Sequence, residues 1–266
     1  MPLMPTRLKL PSPVWRLPSW GSRLLASPGA AADLLFPPSC FACGQRLEDG
    51  SAEKLRACAA CLQELSLTTG PACPRCAAPA VVIGQDRLAP CASCKEAVIR
   101  FDHALAAGVY EGLLRQLVLR AKRASEEAVA MALGRLIVSV NGDQLRGAEH
   151  DVVTSIPMHW RRRFVRQTNA PELMAEVIAG HLAAPFAPRL MKRLRATQPQ
   201  AQLARSNRLP NVRRAFAVRR GYKLEGATVV LVDDILTTGA TCSEATRALK
   251  DAGAGRVIVV VAARSL

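Results

Sequence analysis

From residue 101 onward the apolar positions recur at the spacings of packed helices and buried strands. Leu114, Leu117, Val118 and Ala121, then Val129, Leu133, Leu136 and Ile137, fall mostly three and four apart, with an interruption over residues 123–126. That spacing predicts two helices divided by a short break, because 3.6 residues per turn bring such positions onto one face. Residues 151–156 read as a strand closed by Pro157, and residues 171–182 as an amphipathic helix with Pro171 in its first turn. Further on, residues 229–232 and 256–262 read as strands on either side of a helix over residues 241–252. Thr241 and Glu244 have capping-box spacing there, and Gly253 supplies the stop. Strand, helix and strand within about 35 residues, with near-continuous Val and Ile, predict a parallel α/β sheet covered by helices on both faces.

Ahead of residue 99 the periodicity gives way to cysteine. Eight of the nine cysteines form four C-x-x-C pairs, Cys40/Cys43, Cys58/Cys61, Cys73/Cys76 and Cys91/Cys94, and the first two pairs recur after a constant 33 residues. A C-x-x-C pair on a tight turn directs two thiolates at one tetrahedral metal, and two pairs close a four-cysteine shell. Two structural Zn2+ ions follow, with sequential pairing favoured and an interleaved cross-brace left open by spacing alone. Four thiolates also suit an iron–sulfur cluster. A closed shell leaves no position for water, so the role expected is structural and not catalytic.

Composition narrows the class. The chain has 266 residues, 36 Lys and Arg against 21 Asp and Glu, and a formal charge of +15. It is 50% hydrophobic with a mean hydropathy of +0.11, which excludes a disordered polyelectrolyte. No run approaches the ~18–20 apolar residues of a membrane span. Pro11, Pro13 and Pro18 interrupt every candidate for a secretory h-region. Residues 1–32 therefore read as a disordered basic tail, with a membrane-surface or nucleic-acid arm as the sharper alternative. A reducing, cytoplasmic location follows, where zinc is favoured over disulfides. At 4% aromatic, the chain does not supply a dedicated base-stacking platform.

The most informative segment is VVLVDDILTTGAT, residues 229–241. A hydrophobic strand ends in Asp233 and Asp234, and a short Thr/Gly loop then opens a helix. Backbone N–H groups and hydroxyls of Thr237, Thr238, Gly239, Ala240 and Thr241 can wrap one phosphate at the helix N-terminus, with Gly239 permitting the turn. Carboxylates at a parallel strand's carboxyl end can accept hydrogen bonds from vicinal sugar hydroxyls. A ribose 5-phosphate fits both halves. Cys242 reads as a small packing residue, and the four histidines show no ligand or triad spacing.

This segment closely resembles the phosphoribosyl-diphosphate signature of the type I phosphoribosyltransferases. In that family the paired acids hold the ribose hydroxyls and the T-T-G-x-T loop holds the 5-phosphate. The rest of the chain is similar to the ComF family, competence-associated phosphoribosyltransferase-like proteins with a zinc ribbon ahead of that domain. The residues that carry the similarity are Leu35-Phe36-Pro37 with Cys40-Phe41-Ala42-Cys43-Gly44, then Tyr110, Gly112, Leu113 and Lys122. Arg195, Thr197, Gln200, Leu203, Arg208, Asn211, Ala215 and Phe216 add eight matches at fixed spacing. One departure stands at Arg166-Gln167-Thr168-Asn169-Ala170, where the family reads R-G-F-N-Q.

The resemblance implies a double zinc-ribbon module over residues 33–98 and a phosphoribosyltransferase-like domain over residues 99–266. It implies that phosphoribosyl diphosphate binds with Mg2+ and that the phosphoribosyl group passes to a nitrogen acceptor. The turn at Ser155, Ile156 and Pro157 would form the pyrophosphate loop, with Arg161, Arg162 or Arg163 neutralising the departing charge. Purine-salvage relatives carry an Asp base at the position of Thr237, and this chain lacks it. Residues 158–223 hold 15 Lys and Arg against Glu172 and Glu176. The alternative reading makes that basic stretch a path for single-stranded DNA, in a DNA-uptake factor that does not turn over its ligand and has a competence helicase as partner.

Overall fold

The computed structural model describes residues 38–47, 55–68, 70–80, 91, 94, 97–147, 149–159, 169–198, 200 and 203–266. The basic tail expected over residues 1–32 and the arginines at 161–163 lie outside them. The first helix is short, α1 (Ala59–Glu64). Next come β1 (His103–Val109), α2 (Gly112–Arg120) and α3 (Glu127–Arg146). A 3₁₀ turn at Ala124–Glu126 is the break expected between the two helices. β2 (Val152–Ser155) and α4 (Ala170–Leu182) follow, and then an antiparallel pair, β3 (Met191–Arg193) and β4 (Phe216–Val218), joined through α5 (Arg205–Val212). The chain closes with β5 (Thr228–Leu236), α6 (Ala240–Asp251) and β6 (Arg256–Arg264).

Four strands form a parallel sheet in the order β1-β6-β5-β2. β5 and β6 are central, so their Val and Ile side chains meet apolar layers on both faces, which accounts for the near-continuous hydrophobic runs. One layer is Leu114, Leu117 and Val118 of α2 with Leu133, Leu136 and Ile137 of α3 and Met174 and Ile178 of α4. The other is Phe216, Leu224, Ala245 and Leu249, carried by β4, the segment before β5, and α6. A fully buried Leu or Ile in such a layer contributes about 1.5–3 kcal/mol.

The cysteine-rich segment is built onto this sheet. Cys40, Ala42, Leu47, Ala57, Cys61 and Leu65 belong to the same apolar layer as α2 and α3. Thr68 N–H donates to the Ala107 carbonyl (2.9 Å) and Val109 N–H to the Ser66 carbonyl (2.8 Å), so residues 66–68 pair with the outer edge of β1. Gly108 makes this approach possible, because a Cβ there would stand 2.2 Å from the Ser66 oxygen. An exposed edge that would otherwise invite pairing with another chain is thereby covered.

Two expectations are corrected and one strand is added. The strand expected over 229–232 runs on to Leu236, because β6 continues to pair with it through Leu236 and Arg264. The Thr241–Glu244 capping box does not form. α6 begins at Ala240 after Gly239 in the left-handed conformation (φ +76°), and no side chain caps it. Glu244 is buried and serves elsewhere, accepting from Arg214 N–H (2.6 Å) and Arg247 Nε (2.8 Å). The added strand, β1, was not foreseen: its HALAAGV sequence is mostly small residues and lacks the β-branched signal of a strand.

Candidate functional site

Asp233 and Asp234 lie within the last turns of pleat of β5, at the carboxyl end of the sheet, where open α/β sheets bind ligands. Successive side chains of a strand point to opposite faces, and the two acids do so. Asp233 Oδ2 faces the Cys242 thiol of α6 at 3.7 Å, whereas Asp234 Oδ2 meets Lys122 Nζ at 2.8 Å, just past α2. Asp234 N–H closes back on Asp233 Oδ1 (2.9 Å). Burial, and then the neighbouring Asp234 charge, push the Asp233 carboxyl up to about 8. Burial opposes the charge on Lys122, but the Asp234 carboxylate outweighs it and raises the ammonium above its ordinary value. Burial pushes the Cys242 thiol well above its usual range, which suits packing and not nucleophilic attack.

The loop that follows is shaped as its sequence suggests. Gly239 takes a positive φ (+76°), so the conformation favours glycine, while the Phe101 ring, 3.5 Å from where a Cβ would sit, leaves an ordinary contact distance. The first N–H groups of α6 lack partners within the helix. Thr238 Oγ1 takes the Ala240 N–H at 3.5 Å, and Thr241 Oγ1 accepts from Gln200 Nε2 at 3.2 Å. Gln200 also donates to the Arg208 carbonyl, and Asn211 clamps Gln198 through both backbone groups (3.1 and 3.0 Å). Through Gln200 and its hold on Arg208, this polar stretch is therefore tied to the loop. Its spacing was visible in the sequence, but its destination was not.

Ile156 N–H donates to the Val232 carbonyl (2.9 Å) and Ser155 is in register with Val232. The turn at Ser155, Ile156 and Pro157 thus emerges directly beside Asp233. Arg161, Arg162 and Arg163 lie outside the described residues. Two residues the sequence gave no reason to place at the site do reach it. Lys122 was visible only as a family match. Arg264, at the end of β6, donates to the Leu236 and Thr237 carbonyls (2.9 and 2.5 Å).

The eight clustered cysteines gather into two sets, Cys40/Cys43/Cys58/Cys61 and Cys73/Cys76/Cys91/Cys94, with the four sulfurs of each within 4.8 Å of one another. Pairing is sequential. Sulfur separations of 3.8 Å (Cys43–Cys58), 3.7 Å (Cys73–Cys94) and 3.4 Å (Cys76–Cys91) approach the about 3.8 Å edge of a tetrahedron with 2.3 Å Zn–S bonds. Burial opposes ionisation of Cys40, but backbone N–H groups of Cys43, Cys58 and Ala42 outweigh it and bring the thiol down to about 6. Two structural zinc sites fit this donor set. No helix among the described residues is long and apolar enough to cross a membrane.

A parallel sheet with an acid pair and a glycine-turned loop at its carboxyl end, preceded by paired four-cysteine knuckles, defines a phosphoribosyltransferase-fold protein with a zinc-ribbon module. Comparison with known proteins agrees. A family model described as a double zinc ribbon domain matches residues 31–99, and one described as a phosphoribosyl transferase domain matches residues 173–265. The chain is 30% identical to the DNA utilization protein YhgH of Salmonella typhi over 88% of its own length and 100% of that protein's. It is 28% identical to YhgH of Escherichia coli (strain K12), again over 88% and 100%. It is 25% identical to competence protein F of Haemophilus influenzae, over 78% of this chain and 90% of the relative. The chain belongs to the ComF family, together with these YhgH and competence proteins.

Proposed function

We propose that the site at the end of β5 binds phosphoribosyl diphosphate with Mg2+, Asp233 and Asp234 holding the ribose hydroxyls and residues 237–241 the 5-phosphate. The observation that carries this reading is the convergence of three elements on one sheet end. The acid pair, the glycine-turned loop and the turn after β2 are neighbours through the β2–β5 register. Adjacent carboxylates suit a hard divalent cation beside a diphosphate, and Mg2+ would supply charge neutralisation there. Transfer to a nitrogen acceptor, with Arg161, Arg162 or Arg163 facing the leaving pyrophosphate, is the further step of the same reading. We take residue 99 as the start of the phosphoribosyltransferase-like domain, the segment 33–98 as the zinc-ribbon module, residues 1–32 as a tail, and the location as cytoplasmic. Titration calorimetry with phosphoribosyl diphosphate and Mg2+ tests the site. The wild type should bind, and an Asp233→Asn/Asp234→Asn double variant that binds equally well would defeat the ribose-clamp role.

A second reading keeps the fold and replaces the ligand by single-stranded DNA, with a helicase as partner. What favours it is a set of exposed cations, Arg189, Lys192, Arg195, Arg213, Arg214, Arg219, Arg220 and Lys223, that form no ion pair among the described residues. The salt dependence of binding separates the two.

A further inference from the structure

Arg264 is 5% exposed, yet no carboxylate among the described residues pairs with it. Its Nη1 donates to the carbonyls of Leu236 (2.9 Å) and Thr237 (2.5 Å) and also lies against the Ser265 carbonyl, while Nε is buried without a partner. Carbonyls satisfy donors but carry only partial charge, and an enclosed guanidinium without a counter-charge is costly to keep. Position makes the cost intelligible. Leu236 ends β5 and Thr237 opens the loop that leads into α6. A trans peptide sets C=O and N–H on opposite sides. The Leu236 carbonyl is held by the Ser265 N–H (2.9 Å) as well, so what Arg264 adds is its hold on the Thr237 carbonyl, which turns the following N–H, that of Thr238, away from it. Pairing of Leu236 with Arg264 across β5 and β6 fixes the guanidinium at this spot.

We propose that Arg264 is a positioning residue for a phosphate dianion: it anchors the loop from beneath by its entry carbonyls, and the ligand supplies the counter-charge that no described side chain provides. It does not touch the ligand and acts through the backbone of residues 237–241. This rests on the reading of that loop as a phosphate cradle.

The test uses the full-length, zinc-loaded protein with ribose 5-phosphate as probe, in calorimetry, and amide hydrogen exchange over residues 237–241 without ligand. Arg264→Met should bind about tenfold or more weakly and exchange faster in the loop, as loss of a charged donor pair implies. Arg264→Lys keeps the charge without the forked donors, and should recover part of the affinity. Wild-type affinity and protection in Arg264→Met, or Arg264→Lys no better than Arg264→Met, overturns the proposal. Should Arg264→Met fail to fold, Arg264→Lys carries the test, and wild-type affinity with wild-type protection there overturns it. If the wild type itself does not bind ribose 5-phosphate, the phosphate-cradle reading falls. Unchanged loop protection in Arg264→Met would then overturn the anchoring role separately.

Discussion

Replacing Asp233 by Asn should stabilise the protein at alkaline pH, and less so as the pH falls. The carboxyl sits against the Cys242 thiol and next to Asp234, and burial with that neighbouring charge moves its proton affinity from an ordinary 3.8 to about 8. The native state therefore keeps a proton that the unfolded chain has released. Where the folded state holds more protons, stability falls as pH rises, so the penalty is absent below about pH 4, grows up to about pH 8, and is full above. Between about pH 5.5 and about pH 8 that window spans roughly 2.5 pH units at about 1.4 kcal/mol each, a ceiling of about 3 kcal/mol. Asp233 keeps part of its surface exposed, so water lowers the cost, and an amide must still face the thiol and the Asp234 N–H. About 2 kcal/mol of pH-dependent gain should survive, or roughly 4–8 °C in Tm for a domain of this size. The assay is thermal and urea unfolding of zinc-loaded wild type and Asp233→Asn at both pH values. Comparing the two proteins at each pH cancels whatever acid does to the cysteine ligands. The reasoning is refuted if Asp233→Asn shifts stability equally at both pH values, or destabilises more at the higher one.

Native mass spectrometry should count about two zinc ions per chain, and Cys61→Ser and Cys94→Ser should each lose one while leaving the other set filled; a chain carrying none under reducing conditions would refute the assignment. Gly108→Ala forces a Cβ to within 2.2 Å of the Ser66 oxygen, so it should cost about 1–3 kcal/mol in urea unfolding by prising residues 66–68 from β1. Arg120 donates through Nη1 to the Ala42 carbonyl (2.6 Å), inside the first cysteine knuckle, and pairs with Glu126 (3.0 Å). Arg120→Met should therefore cost about 1–2 kcal/mol, reduced from a fully buried bond by its partial exposure, and should hasten zinc transfer from Cys40, Cys43, Cys58 and Cys61 to a chelator.

What the sequence made legible follows the range over which each signal acts. The cysteine sets needed only spacing, since a knuckle is local and the 33-residue repeat is visible in the chain. Central strands β5 and β6 announced themselves because burial on both faces demands continuous Val and Ile. Gly239 was legible because a positive φ leaves few alternatives. The failures are long-range. Glu244 had the right spacing for a cap, but the backbone N–H of Arg214, thirty residues away in sequence, competes for it. Lys122 and Asp234 are separated by more than a hundred residues, and nothing local in either segment marks them as a pair. Arg264 closes a hydrophobic strand, where an arginine reads as a chain-end residue turned to water, and only the β5–β6 register brings it under the loop.

Two groups among the described cations contribute to the net charge of +15 with different consequences. Lys122 and Arg264 are engaged at the sheet end, one by Asp234 and the other by loop carbonyls, beside the loop proposed above to hold a single phosphate. Among the described residues the eight exposed cations from Arg189 to Lys223 form no ion pair, although Arg195 donates to the Arg213 carbonyl, and an extended polyanion could engage several of them together. If four of them met phosphates of a single strand, counterion release would give a slope of about −2.8 in log K against log salt, a loss of about fiftyfold between ~50 and ~200 mM. A dianion in the loop displaces fewer ions and should lose only several-fold over the same range. Binding of ribose 5-phosphate and of a deoxythymidine oligonucleotide, each titrated at both salt concentrations, therefore assigns the charge. A steep slope for the oligonucleotide that flattens when Arg213, Arg219 and Arg220 are changed to Gln, with ribose 5-phosphate binding unmoved, would place strand binding on the exposed set. An oligonucleotide slope as shallow as that of the sugar phosphate would defeat the strand reading, and leave the basic stretch to shape the approach to a single phosphate site.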